Sequence, residues 1–297
     1  MPLFSQNRKI DRVSTTAELF SKHSHLQENA RVFRSEKPAT IDPKCLLYVQ
    51  QREFAATTPL DKSVTFIGSA DATTCHLVLL RHTGSGAACL AHCDGSRTWS
   101  EVPLIVKAVT SLTGAVKDGR YSTQALLFGE LALIKQQEEI HLETCCITEM
   151  NDEVVEGVHR PVVYGIGVNV KTGEVFPASF PTRGPAEDLR SARTFTGGQM
   201  AEIYDSSKEQ VEIGSCKWSP NKDIAFWLAQ DDDTILQYLS TSPMAEPPHF
   251  VQHIKSTIQF LLDHPTADSL FPGGQPQIFK RTAQGGWDRT PPPPPQQ

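Results

Sequence analysis

The sequence predicts an α+β fold, and three observations carry that prediction. Short apolar runs of strand length gather in groups, amphipathic runs of helical spacing gather in others, and the two kinds do not alternate strictly along the chain. Strict alternation would have pointed to a doubly wound parallel sheet instead. At 297 residues the chain can bury a sizeable core. No repeat or linker divides it, so a single domain over 1–287 is expected, followed by a disordered Pro-rich tail at 288–297.

Local signals place the elements along the chain. Ser14-Thr15-Thr16-Ala17-Glu18 offers an N-cap, and Leu19, Phe20, Leu26, Ala30, Val32 and Phe33 recur at rough helical spacing, predicting a helix over 15–34. Strands are predicted over 46–54 and 64–67. A hairpin comes next: strand 75–81, the turn Thr83-Gly84-Ser85-Gly86, and strand 87–93. Helical patterns cover 99–112 and 122–137. Strands 139–149 and 161–170 are joined by an acidic loop at 151–156, and Lys171-Thr172-Gly173-Glu174 turns the chain into strand 175–180. A short helix at 186–193 and short strands at 202–204 and 211–213 precede two amphipathic helices, 222–240 and 247–263. Ser242-Pro243 and Pro247-Pro248 break the chain between them. The run Pro291 to Pro295 reads as an untethered end, the alternative being a polyproline ligand for an SH3 or WW domain.

Composition narrows the function classes. Hydrophobic residues at 39% and charged residues at 21% are those of an ordinary soluble protein. A net charge of −6 with no long basic run argues against a nucleic-acid surface. The N-terminus has no basic segment followed by an apolar one, and no apolar run reaches about eighteen residues, so neither a secretory signal nor a membrane span is expected. The expected compartment is the cytosol, with the nucleus also open. The seven cysteines, odd in number and irregularly spaced, do not form a secreted disulfide framework. Most should be buried thiols in a reducing compartment.

One of them stands out by geometry. With a two-residue loop at Gly84-Ser85, paired hairpin positions place Cys75 opposite Asp94 and Leu77 opposite His92. Side chains alternate faces along a strand, so Cys75, Leu77, His92 and Asp94 share one face. His92 is then the diagonal neighbour of Cys75, roughly 7–8 Å away between backbones. A thiol beside an imidazole becomes a thiolate-imidazolium pair, and the thiolate is a nucleophile. Cys89, Cys93 and His76 fall on the opposite face, with Cys89 and Cys93 about 13 Å apart, too far for a disulfide. A three-residue loop would shift the register by one and put Cys93 beside Cys75. Both hairpin faces are apolar, so it is expected to be a central element covered on both sides.

The stretch Ile67-Gly68-Ser69-Ala70-Asp71-Ala72-Thr73-Thr74-Cys75-His76 carries a resemblance. With Leu46-Leu47-Tyr48-Val49-Gln50-Gln51-Arg52-Glu53, Leu80-Arg81-His82-Thr83-Gly84, Ala91-His92-Cys93-Asp94-Gly95, Val163-Tyr164-Gly165-Ile166 and Ser242-Pro243-Met244-Ala245-Glu246-Pro247-Pro248-His249-Phe250-Val251, it resembles the eukaryotic protein N-terminal asparagine amidohydrolases. The resemblance runs from Pro2 to about Trp287. A more distant likeness is to the bacterial chemoreceptor glutamine deamidases and cytotoxic necrotizing toxins, which implies an α-β-β sandwich with the C-terminal helices added. Those deamidases place a hydroxyl residue six positions before the cysteine and the histidine seventeen after it, here Ser69 and His92, which supports the register chosen above.

The resemblance implies a catalytic triad by role. Cys75 attacks the side-chain carboxamide of an N-terminal Asn, His92 activates the thiol and protonates departing ammonia, and Ser69 orients His92. A thioester forms and is hydrolysed to Asp. The backbone N–H of Cys75, after Thr73-Thr74, is a natural oxyanion donor. Selecting an N-terminus calls for a carboxylate to meet the ammonium. Asp71 and Asp94 are the near candidates and Thr74 adjoins them, while Glu149 and Asp152 lie farther off. No cofactor or metal is expected. The implied partners are proteins or peptides with an N-terminal Asn, and downstream arginylation machinery that leads to degradation. Neither nucleic acid nor membrane is a partner, and a monomer is expected.

One departure from the family pattern stands out. A hydrophobic strand ending in Gly-Gly separates the two helices after the hairpin in the family, whereas here Lys117-Asp118-Gly119-Arg120-Tyr121 runs straight into the second predicted helix. A strand is therefore expected to be missing. Rival readings are a cysteine amidohydrolase acting on another amide, a non-catalytic binder of N-termini, and a metal module built from Cys89-Leu90-Ala91-His92-Cys93 with Cys75 or His76. Strand alternation disfavours the last, because zinc needs converging ligands.

Overall fold

The computed structural model describes residues 3–11, 13–116, 118–126 and 139–291. Its centre is the predicted hairpin, formed by strands His76–His82 and Ala88–Cys93. They pair antiparallel with Leu77 opposite His92 and His76 opposite Cys93, the expected register. The turn differs in detail from the two-residue loop predicted. His82 N–H donates to the Ala87 carbonyl and Gly86 N–H folds back to the His82 carbonyl, each at 2.8 Å, so four residues make the turn while the register holds. Gly86 sits at φ 74°, where a side chain would be strained.

The hairpin lies inside an eight-stranded mixed sheet. Glu53–Thr57 flanks Ala88–Cys93 on one side, and Tyr121–Leu126, Ile140–Cys145 and Leu3–Ser5 extend the sheet on the other. A five-stranded sheet, which includes Leu46–Tyr48, Phe66–Ser69 and Ile166–Asn169, packs against one face. Leu77, Leu79, Ala88 and Leu90 share a core there with Leu47, Ile67, Ile166 and Val168. Against the other face packs the helix Thr98–Leu112: Val78, Leu80, Cys89, Ala91 and Cys93 bury with Val102, Ile105 and Val109. The hairpin is thus covered on both sides, as its two apolar faces require, and Cys89 and Cys93 lie on the helix side away from Cys75.

The α+β class holds, with several corrections. Helix Thr98–Leu112 leads into a strand, Tyr121–Leu126, and not into the helix predicted over 122–137. That strand runs antiparallel to His76–His82 and parallel to Ile140–Cys145. A strand thus stands where the second helix was expected to begin. The remainder of that predicted helix lies outside the described residues. The single strand predicted over 46–54 is two, Leu46–Tyr48 and Glu53–Thr57, because the chain turns at Gln51-Arg52 with Arg52 at φ 60°. The helix over 15–34 breaks at His23 into Thr16–Lys22 and Ser24–Ser35. The acidic loop is a hairpin, Asp152–Val155 with Val158–Pro161. At the C-terminus Trp287–Thr290 pairs with Gln277–Arg281 in a four-stranded sheet, so pairing runs into the segment read as tail. Residues 292–297 of that segment lie outside the described residues. Among the described residues no helix is long and apolar enough to cross a membrane.

Candidate active site

Strand Phe66–Ser69 ends at Ser69, and the chain then leaves the second sheet, bends at Thr73-Thr74-Cys75 and enters the first sheet at His76. That crossing brings one residue from each sheet together. Ser69 and His92 are both buried, and Ser69 Oγ lies 2.8 Å from His92 Nδ1. Ser69 Oγ is also 2.7 Å from the Val49 carbonyl oxygen, which can only accept. The single hydroxyl proton therefore goes to Val49, and the hydroxyl oxygen accepts from His92 Nδ1–H. This leaves the lone pair of the imidazole on Nε2. That atom is buried without a hydrogen-bond partner among the described residues. An unpartnered buried nitrogen is costly, and such a group calls for a functional reason.

Cys75 and His92 line the same cavity, of about 400 Å³, with Asp71, Thr74 and Asp94. The expected thiolate-imidazolium pair is not the resting state. Burial pushes the Cys75 thiol up to about 12, and the negative charges of Asp94 and Glu246 add to it. Burial pulls His92 down to about 4, against the opposing pull of Asp71 and Glu53. Both groups are neutral at physiological pH. His76, the alternative base, is buried, and among the described residues neither of its ring nitrogens has a hydrogen-bond partner.

The cavity wall is built from charges that are mostly matched. Arg183 forms an ion pair with Asp71, whose backbone is left-handed at φ 62°, and His249 Nε2 lies 3.0 Å from the same carboxylate. Arg52 pairs with Asp94 at 2.7 Å. Beneath them, Glu53 sits opposite His92 in the sheet and is fully buried. Arg190 and Arg193, from helix Glu187–Phe195, reach it at 2.6 and 2.5 Å. Burial alone would raise the Glu53 carboxyl, but the two guanidinium groups overcome it and hold the acid below its ordinary range. The loop before the C-terminal helix Phe250–Asp263 closes over the Cys75 bend. Ser242 Oγ lies 2.8 Å from Thr73 Oγ1, Thr241 Oγ1 lies 3.2 Å from Thr74 Oγ1, and Tyr164 Oη donates to the Ala245 carbonyl at 2.9 Å.

Sequence reasoning reached Ser69, Cys75, His92, Asp71, Thr74 and Asp94, which the fold gathers in one place. Glu149 and Asp152 are not among the cavity residues. It missed Arg52, Arg183, Glu53, Glu246 and the two arginines behind them. The available signal was Glu53, an acid inside an otherwise apolar strand, which needs a buried cation.

The cavity joins a half-buried thiol and an oriented imidazole, a pairing suited to amide hydrolysis. A sequence model described as protein N-terminal asparagine amidohydrolase matches residues 36–289. This chain belongs to that family. Protein N-terminal asparagine amidohydrolase of Mus musculus is 46% identical over 304 residues, covering 97% of this chain and 98% of its own. The protein of that name from Sus scrofa is 47% identical over 302 residues, covering 97% of each. The one from Arabidopsis thaliana is 28% identical over 281 residues, covering 82% of this chain and 80% of its own. Membership of this amidohydrolase family therefore extends over nearly the whole chain. Among the described residues no group of three or more His, Cys, Asp or Glu converges as a metal site would.

Proposed function

We propose that this protein hydrolyses the side-chain amide of an N-terminal asparagine in proteins or peptides, releasing ammonia and leaving aspartate. The observation that carries the reading is the buried, unpartnered Nε2 of His92 in the cavity that Cys75 lines, its tautomer held by Ser69. As the Cys75 sulfur attacks the amide carbon, its proton passes to His92 Nε2, and the carbonyl oxygen takes the negative charge against the Cys75 backbone N–H. The carbon–nitrogen bond then breaks as His92 returns the proton to the leaving nitrogen, which departs as ammonia. Water adds to the thioester, giving one proton to His92, and the acid leaves as the thiol re-forms. Asp71 and Asp94 serve the substrate site through Arg183 and Arg52, which they hold in place, and Thr74 frames the bend that presents Cys75.

The α-β-β likeness to the bacterial glutamine deamidases and necrotizing toxins belongs to the same proposal. Its support is the hydroxyl–cysteine–histidine spacing together with helices on one side of the large sheet and a second sheet on the other. We read 1–287 as one catalytic unit, working as a monomer in the cytosol or nucleus, where seven free thiols are at home. The aspartate it leaves would be open to arginylation and degradation.

The test is to incubate the protein with Asn-, Gln- and acetyl-Asn-initiated forms of one peptide and follow ammonia and the amide-to-acid mass change. Turnover of the free Asn peptide alone is expected. Comparable turnover of the Gln peptide would make it a different amidohydrolase, and binding without turnover an inactive reader of N-termini. Cys75→Ser and His92→Ala should each abolish turnover. A Cys75→Ser protein with full activity would sink the nucleophile, and loss in His76→Ala with retention in His92→Ala would transfer the base to the other face of the hairpin.

A further inference from the structure

An N-terminal residue differs from an internal one by its ammonium, and a site that requires it must offer an unspent negative charge. Three carboxylates line the cavity: Asp71, Asp94 and Glu246. Asp71 is ion-paired with Arg183 and Asp94 with Arg52. Glu246 is different. Among the described residues no lysine or arginine reaches it; its hydrogen-bond partners are neutral hydroxyls, Ser240 Oγ at 2.5 Å and Ser242 Oγ at 3.4 Å, both on Oε1. Among the described residues no hydrogen bond is made to Oε2. Burial pushes the Glu246 carboxyl up against the opposing hydrogen bonds from Ser240 and Ser242; the charge of Asp71 adds to the rise, and the His249 imidazole opposes it.

Its position is fixed. Ser242 bridges Glu246 to Thr73, two residues before the nucleophile, and Tyr164 anchors the adjoining Ala245. Glu246 and Cys75 line the same cavity. In asparagine a single short stem carries both the ammonium and the carboxamide. When the amide carbon rests on the Cys75 sulfur, the ammonium must lie near it, in the cavity that Glu246 also lines.

We propose that Glu246 is the residue that reads the α-ammonium of the substrate. The proposal rests on the N-terminal asparagine reading above and assigns its selectivity. It has a second consequence. Burial and Asp94 hold the Cys75 proton on, and the Glu246 charge adds to them; an ammonium that offsets the Glu246 charge removes that part, so substrate binding eases deprotonation of the nucleophile. Internal asparagine brings no cation, leaving Glu246 unpaired and the thiol unassisted.

The experiment compares an Asn-initiated peptide with its succinamoyl counterpart, which has the same amide but no amine. The unaltered protein should favour the amine form by about 100-fold or more in kcat/KM, the order expected for an unpaired buried charge. In Glu246→Gln that preference should fall to near unity, while slow turnover of the succinamoyl peptide persists and reports a folded site. A Glu246→Gln protein that keeps the full preference overturns the assignment. Should Glu246→Gln fail to fold, Glu246→Asp decides: retracting the charge should raise KM for the amine peptide alone, and an equal effect on both peptides overturns the proposal. If the unaltered protein releases no ammonia from the Asn peptide, the functional reading fails first, before any variant is made, and the assignment falls with it.

Discussion

Ser69 Oγ accepts a hydrogen bond from His92 Nδ1 at 2.8 Å while giving its own proton to the Val49 carbonyl at 2.7 Å. The relay joins the two sheets and decides which nitrogen of the imidazole is the base. In Ser69→Ala the ring is free to carry its proton on either nitrogen, and half the relay that holds it is gone. Turnover of an Asn-initiated peptide should fall by about 100-fold or more, within the range of a lost general base. Stability should fall by only about 1–2 kcal/mol for the broken hydrogen bonds. Nitrogen NMR of His92 distinguishes the causes, since the Nδ1–H signature should weaken only in the variant. Full activity in Ser69→Ala would remove Ser69 from the site.

The neutral resting pair predicts how the thiol reacts. With Cys75 raised to about 12, iodoacetamide alkylation of this residue should be slow at neutral pH and climb through pH 9 without a plateau. A thiolate-imidazolium pair would plateau below pH 7. Mass mapping of Cys75 across the pH range separates the two.

His92 predicts acid lability. Its ring is near 4 in the fold and about 6.5 in the unfolded chain, so between those values the unfolded state binds more protons. Stability from this group is therefore whole above about pH 6.5 and lost as pH falls towards 4, by on the order of 3 kcal/mol. Urea midpoints measured from pH 7 down to 4 should fall, and less steeply in His92→Gln. An unchanged slope in that variant would place the acid sensitivity elsewhere, His76 and His253 being the other histidines held near 4.

The reach of the sequence follows the range of the forces that build each part. The hairpin was legible because strand alternation and a glycine turn are local, and they placed Cys75 and His92 on one face. Ser69 came from a family likeness, since nothing local says that Phe66–Ser69 should lie across a second sheet from the hairpin. Glu53 signals a buried cation, but which arginines answer it was not legible. Arg190 is 137 positions from Glu53 along the chain, and only the packed helix brings them together. Tyr121–Leu126 was misread because six residues are too few for periodicity to separate helix from strand, and its neighbours in the sheet decide the matter.

The buried Glu53 ion triad is where a stability defect should be most severe. Glu53→Gln leaves Arg190 and Arg193 buried with their counter-charge removed. A loss of about 3–5 kcal/mol is expected, measured by urea denaturation. Replacing Glu53, Arg190 and Arg193 together by apolar residues should cost far less, because no orphaned charge remains. Equal losses in the single and triple variants would contradict this account.

Gly165 is the last point of leverage on the relay, though it touches neither Cys75 nor His92. It lies where strand Ile166–Asn169 meets the end of Phe66–Ser69, and a Cβ on it would come within 2.6 Å of the Ala70 Cβ and 2.8 Å of the Ser69 carbonyl oxygen. Neither obstacle is the free end of a flexible side chain, so the backbone carrying Ser69 must move. Overpacking of this kind costs about 1–3 kcal/mol. Displacing Ser69 should also loosen its contact with His92, so Gly165→Ala should lower kcat by at least about 10-fold, a small shift of a positioning group being enough. KM should change little, because the strap over the cavity is held by Tyr164 Oη and not by Gly165. Combining Gly165→Ala with Ser69→Ala provides the decisive measurement. If the glycine acts through Ser69, the second substitution adds almost nothing to kcat loss; fully additive losses would mean that Gly165 matters for folding alone.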